Sequence, residues 1–142
     1  LAENLRTVMR TGLDVSGPYH GFGASFIQLA LPTDASASPF SGESGQARDM
    51  ALEVMQMAID ASNTRVSKAL QEPLPTLLWM AYLGVVLHWV MDSSPGQERS
   101  RVLIDGIVPI IATAVNLARV PVARGLVDDV VALMSALSRK AR

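Results

Sequence analysis

Apolar positions recur at helical spacing along almost the whole chain. Leu1, Leu5, Val8, Met9 and Gly12 follow the four-three rhythm of one helix face. Ser16-Gly17-Pro18 interrupts that rhythm, and Pro18 fits the first position of a new helix. Phe22, Phe26, Ile27 and Ala30 mark the next apolar face. Pro32 to Gly45 is rich in Ser, Pro and Gly and predicts a loop, with Phe40 pinning it to the core. A longer helix is predicted from about Gln46 to Leu70, with Met50, Val54, Met57 and Ala61 on one face and Met55 and Ile59 beside them. Two strongly apolar helices follow, about Pro75–Asp92 and about Pro95–Arg119. A last helix covers about Val122 to Arg139 and aligns Leu126, Val130, Leu133 and Leu137. No alternating run bounded by turns supports a sheet, so the expectation is an all-α bundle of about six helices.

The stretch Leu77 to Met91 carries no charge and is apolar on every side. A surface helix needs only one apolar stripe, so this one has two faces to bury. One can pack on its own domain, and the other is free for a ligand, a partner or lipid. Lipid fits poorly, because a spanning helix needs about 20 apolar residues and Asp92 and Glu98 close the run. The next helix is broken by Asp105, Pro109, Asn116 and Arg119. The joint Ser93-Ser94-Pro95-Gly96-Gln97 reads as a capping box: Ser94 caps, Pro95 takes the first position and Gln97 reaches back. Pro109 should bend the second helix.

The 142 residues suffice for one domain and one core, and residues 1–142 are read as a single domain. Hydrophobic residues make up 49% and charged residues 18%, which excludes a disordered chain. A net charge of −1 leaves no excess of cations to neutralise phosphates, so nucleic acid is a poor partner for these residues. Cysteine is absent, in keeping with a reducing compartment. The chain opens on Leu1 without Met, in what reads as the interior of a helix, and is expected to be part of a longer protein. His88 and Asp92 are four apart and suit an ion pair at a helix end. Arg101 and Asp105 have the same spacing. His20 is remote in sequence, so no metal set and no catalytic residues are expected.

The segment LLWMAYLGVVLHWVMDSSPGQERSRVLIDGIVPIIATAVNLA resembles the end of tetracycline-repressor (TetR) family transcriptional regulators. The resemblance lies in LLW, an apolar stretch, W-x-x-D-x-SPGQ-x-R-S and a further apolar helix. Pro18-Tyr19 and the SPFSGES stretch resemble one branch of that family. The family's N-terminal helix-turn-helix head is absent from this sequence, so DNA contact would come only through that missing head. What remains resembles the effector-binding and dimerising body of a cytoplasmic bacterial regulator.

The resemblance implies that the helix pair joins the same pair of a second chain in a four-helix bundle, the homodimer. The dimer face is then expected to include Val85, Trp89, Ile104, Val108, Ile111 and Val115. A pocket for an apolar or aromatic effector is expected among Met9, Phe22, Phe26, Met55, Ile59, Trp79 and Tyr82. No cofactor is implied. A helical protein–protein module without a small-molecule ligand is the competing reading, and a filled core explains the same residues without any ligand. An enzyme would need polar groups converging in a pocket.

Overall fold

The computed structural model describes residues 1–30 and 38–140. Residues 31–37 of the predicted loop, Ala30 of the second apolar face and the basic tail from Arg139 lie outside the residues whose side chains are described. Among the described residues every regular element is helical. The long helices are α1 (Ala2–Ser16), α2 (His20–Ala30), α3 (Gly45–Asp60), α5 (Leu74–Met91), α6 (Glu98–Leu117) and α7 (Arg124–Lys140), and α4 (Lys68–Gln71) is a single turn. The all-α expectation of about six helices holds.

The core lies between α1, α3, α5 and α6. Leu5, Met9 and Leu13 recur every four residues, so α1 presents one buried stripe. Gly12 on that stripe lets α5 come close, since a Cβ there would sit 2.1 Å from the Tyr82 hydroxyl. Gly23 does the same for α2, where a Cβ would meet the Val90 side chain at 2.9 Å. The opposite edge of α1 is tied to α6 by charge. Asp105 accepts from Arg6 at 3.2 Å and Arg10 at 2.5 Å, and Arg101 reaches Asp14 at 2.7 Å. The expected Arg101–Asp105 pair within α6 is therefore replaced by contacts between helices.

The predicted Gln46–Leu70 helix stops at Asp60. The sequence after it, Ala61-Ser62-Asn63-Thr64-Arg65-Val66-Ser67, is rich in residues whose side chains compete for backbone bonds. Ser62 Oγ donates to the Ile59 carbonyl at 2.7 Å and accepts from the Thr64 amide at 3.3 Å. Asn4 on α1 donates to the Ala58 carbonyl at 3.1 Å. These bonds satisfy carbonyls that a continuing helix would have used.

A smaller cluster forms away from the main core. Leu70, Ala118 and Val127 are buried together, with Val66, Leu77 and Val131 against them. It is the seat of α7 on α4. Most of α7 stays uncovered: Leu126, Leu133 and Leu137 are all exposed, as is Val122 just before it.

Candidate dimer face and ligand cleft

Helices α5 and α6 divide their apolar residues between two sides. The inner side holds Leu74, Leu78, Trp79, Val85 and Trp89 of α5 and Ile104, Val108 and Val115 of α6. The outer side holds Met80, Gly84, Leu87 and Met91 of α5, spaced four, three and four. It continues on α6 with Val102, Gly106, Ile110, Thr113 and Leu117, at a similar rhythm. That spacing is the seam of paired helices. A Cβ at Gly84 or Gly106 would meet nothing within 4 Å, so backbone is open to an approaching surface there.

The dimer residues expected from the sequence are on the other side. Val85, Trp89, Ile104, Val108 and Val115 are buried in the protomer's own core, and Ile111 packs against it half-buried. The five enclosed side chains offer little surface to a second chain, while Ile111 keeps part of its own. The free face is turned away from the expected one.

The expected ligand residues part company as well. Met9, Met55, Ile59 and Trp79 come together in the main core, with Tyr82 at its edge. Burial pushes the Tyr82 phenol pKa up. Ile59 also reaches a partly polar depression of about 450 Å³ with Gln56, Asp60 and Gln71. Phe22 and Phe26 do not join this group: they are 73% and 55% exposed. Gly23 faces the core instead, with Ile27 half-buried one turn on, because only a glycine allows α2 to approach Val90. With Tyr19, the two phenylalanines make an exposed aromatic stripe. Met50, Val54 and Met57 of α3 are likewise exposed, opposite to the buried Met55, Ala58 and Ile59. Phe40 is 54% exposed, yet its ring stands edge-on to Trp79 at 5.3 Å.

Two adjoining hollows were not found by sequence reasoning. One is an apolar cleft of about 230 Å³ between α4, α5, α6 and α7, lined by residues such as Leu70, Leu77, Ile111, Ala114, Leu126 and Val130. The other, about 510 Å³, is walled by Arg65, Lys68, Arg119 and Arg124 with Ser67 and Asp128. They share Ala118 and Val127. The apolar positions of α7 gave a signal, but not the packing that leaves a gap beside them.

The α5–α6 joint is built around Asp92, which is buried. Its Oδ1 accepts from the Ser94 amide at 2.9 Å and the Ser94 hydroxyl at 2.6 Å. Its Oδ2 accepts from the Ser100 amide and hydroxyl, both at 2.8 Å. Burial raises the carboxyl pKa, but the Ser94 and Ser100 bonds outweigh it and hold the group well below the usual carboxylate range. The anion also sits at the start of α6, where the helix dipole favours it. Gly96 and Gln97 have φ of 61° and 51°, so α6 begins only at Glu98. The predicted capping box is therefore replaced. Ser94 Oγ does accept from an α6 amide, that of Arg99 at 3.2 Å, but Asp92 rather than Gln97 accepts from the Ser94 amide.

His88 meets Asp92 through a third residue rather than as an ion pair. Its Nδ1 lies 2.9 Å from Ser100 Oγ. Since that hydroxyl gives its proton to Asp92, the histidine donates from Nδ1. The order His–Ser–Asp puts the hydroxyl in the middle, and Ser100 is fully buried. The relay ties the end of α5 to the start of α6. His20 Nε2 bonds the Trp89 carbonyl at 2.8 Å, with its ring edge-on to the indole at 4.7 Å. Among the described residues no three His, Asp or Glu side chains cluster as metal ligands.

By length and composition alone, Leu74–Met91 and Pro95–Leu117 could each cross a membrane. Each buries one side in the protein's own core, but only 28% and 22% of the two spans is covered. A family model described as "Tetracyclin repressor-like, C-terminal domain" matches residues 4–133. No curated protein matches the chain.

Proposed function

The chain belongs to the tetracycline repressor-like C-terminal domain family, and on that premise we propose that it is the effector-sensing, homodimerising body of a cytoplasmic bacterial transcriptional regulator. Residues 1–142 act as one unit in this reading, and DNA contact falls to a separate helix-turn-helix head. The observation that carries it is the outer face of α5 and α6. Met80, Leu87, Met91, Val102, Ile110 and Leu117 are all large, apolar and exposed. A continuous face of this kind marks an interaction site. Pairing it with its own copy about a two-fold axis gives a four-helix bundle with every seam residue covered. An effector that prefers one arrangement of the helices would then change the spacing of the two heads.

Sedimentation equilibrium tests the reading. A dimer is expected, and Ile110→Asp should convert it to a folded monomer. A wild-type chain that stays monomeric at high micromolar concentration would overturn it.

A second reading has its own support. The exposed stripe of Phe22 and Phe26 on α2, with Tyr19 just before it, suits a protein partner. A helical interaction module without a small-molecule role would bind through that stripe. Phe22→Ala would then abolish partner binding while the oligomeric state stayed unchanged.

A further inference from the structure

The two adjoining hollows at the α7 end are both lined mainly by apolar atoms, and one of them is ringed by cations. The cleft between α5, α6 and α7 is lined almost wholly by Leu, Ile, Val and Ala side chains. At about 230 Å³ it holds about eight groups of roughly 30 Å³ each. The neighbouring pocket gathers Arg65, Lys68, Arg119 and Arg124 against Asp128. That concentration of cations runs against the chain's own balance, a net charge of −1. Ala118 and Val127 line both hollows, so the two lie side by side.

We propose that this double hollow binds an amphipathic anion, an aliphatic chain of about eight to ten carbons ending in a carboxylate or phosphate. The chain lies in the cleft and removes apolar wall from water. The anionic head lies in the pocket, where arginines offer paired donors. Overall charge and composition do not reveal such a site, because the cations come from α4, the segment before it and both ends of the α6–α7 turn. The proposal names the effector class for the regulator reading and rests on it for any regulatory meaning. Binding itself does not require a dimer.

Isothermal titration of the chain with decanoate, decyl phosphate, decanol and decyltrimethylammonium, each below its micellar concentration, tests the site. Saturable binding of decanoate or decyl phosphate at one molecule per chain is expected, and the tighter of the two identifies the head group. Decanol should bind at least about tenfold more weakly and the cation not at all. Arg119→Ala with Arg124→Ala, both exposed positions, should weaken the anions about tenfold and leave decanol unchanged. Ala114→Phe, on an exposed wall of the cleft, should abolish binding, with circular dichroism reporting the fold. Equal affinity for decanol, no saturable binding, or indifference to these variants overturns the proposal. So does loss of self-association in Ala114→Phe, which would make the cleft a seat for a second copy. A monomer that still binds decanoate would sink the regulator reading and leave the site standing. A dimer that binds neither anion would do the reverse.

Discussion

Helix α6 has two apolar faces made of the same residue types, and they do opposite things. Ile104, Val108 and Val115 face inward and are enclosed. Val102, Ile110 and Leu117 face outward and are bare. Val108 is 0% exposed and Ile110 is 68% exposed, two residues apart on one helix. Hydrophobicity therefore shows that a residue wants cover and leaves open what covers it. The inward face is matched within the chain, while the outward one calls for something else.

The largest contrast comes from placing a charge on each face. Val108→Asp buries an unpaired carboxylate and should cost about 3–5 kcal/mol, enough to remove the cooperative urea transition of a marginal domain. Ile110→Asp should keep that transition and weaken self-association by about two orders of magnitude in sedimentation. If Ile110→Asp unfolds the chain too, the two faces are not separate. Truncation gives a gentler version of the same comparison. Ile104→Ala should lose about 2–5 kcal/mol by chemical denaturation. Ile110→Ala, measured on dilute monomer, should stay within about 0.5 kcal/mol of the parent.

The inward side also depends on how closely α1 approaches. Gly12→Ala sets a methyl against the Tyr82 ring and should cost about 1–3 kcal/mol. Adding Tyr82→Phe should recover part of that loss, since the hydroxyl is the nearest atom. Full additivity of the two changes would mean that they do not touch.

The last effect is confined to acid. Asp92 has its folded pKa below the ordinary aspartate value of 3.8. Its contribution is complete above that value and is lost as the pH falls below it toward the folded pKa. Thermal melts between pH 2 and 6 should show a drop below about pH 4. The variant Asp92→Asn should show a shallower one, from a lower starting point at neutral pH. An unchanged slope would remove Asp92 as its source.

The order of helices and the place of the joint were legible because Gly, Pro and Ser interrupt a helical rhythm at fixed points. The face of each helix was not. In α5 apolar residues run all the way round, so periodicity has nothing to select, and Val85 and Trp89 could not be told from Leu87 and Met91. On α2 the rule that large aromatics go inside failed at Phe22 and Phe26, because Gly23 governs the approach to Val90. The early end of α3 turns on Ser62 and on Asn4, whose meeting with Ala58 spans 54 positions. The cleft was beyond reach for a related reason. It is a gap between four helices, and a sequence pattern describes the helices and not the spaces they leave.

The edge-on pairs at Trp79 and Trp89 give this chain an optical use. The chain has two tryptophans, both buried, and each watches a different attachment. Trp79 stands beside Phe40, in the segment before α3, and Trp89 beside His20, at the start of α2. In a Trp79→Phe variant the remaining emission reports how α2 sits on α5. In a Trp89→Phe variant it reports the Phe40 segment. Stopped-flow fluorescence of the two variants would time the docking of those segments separately, without any added dye.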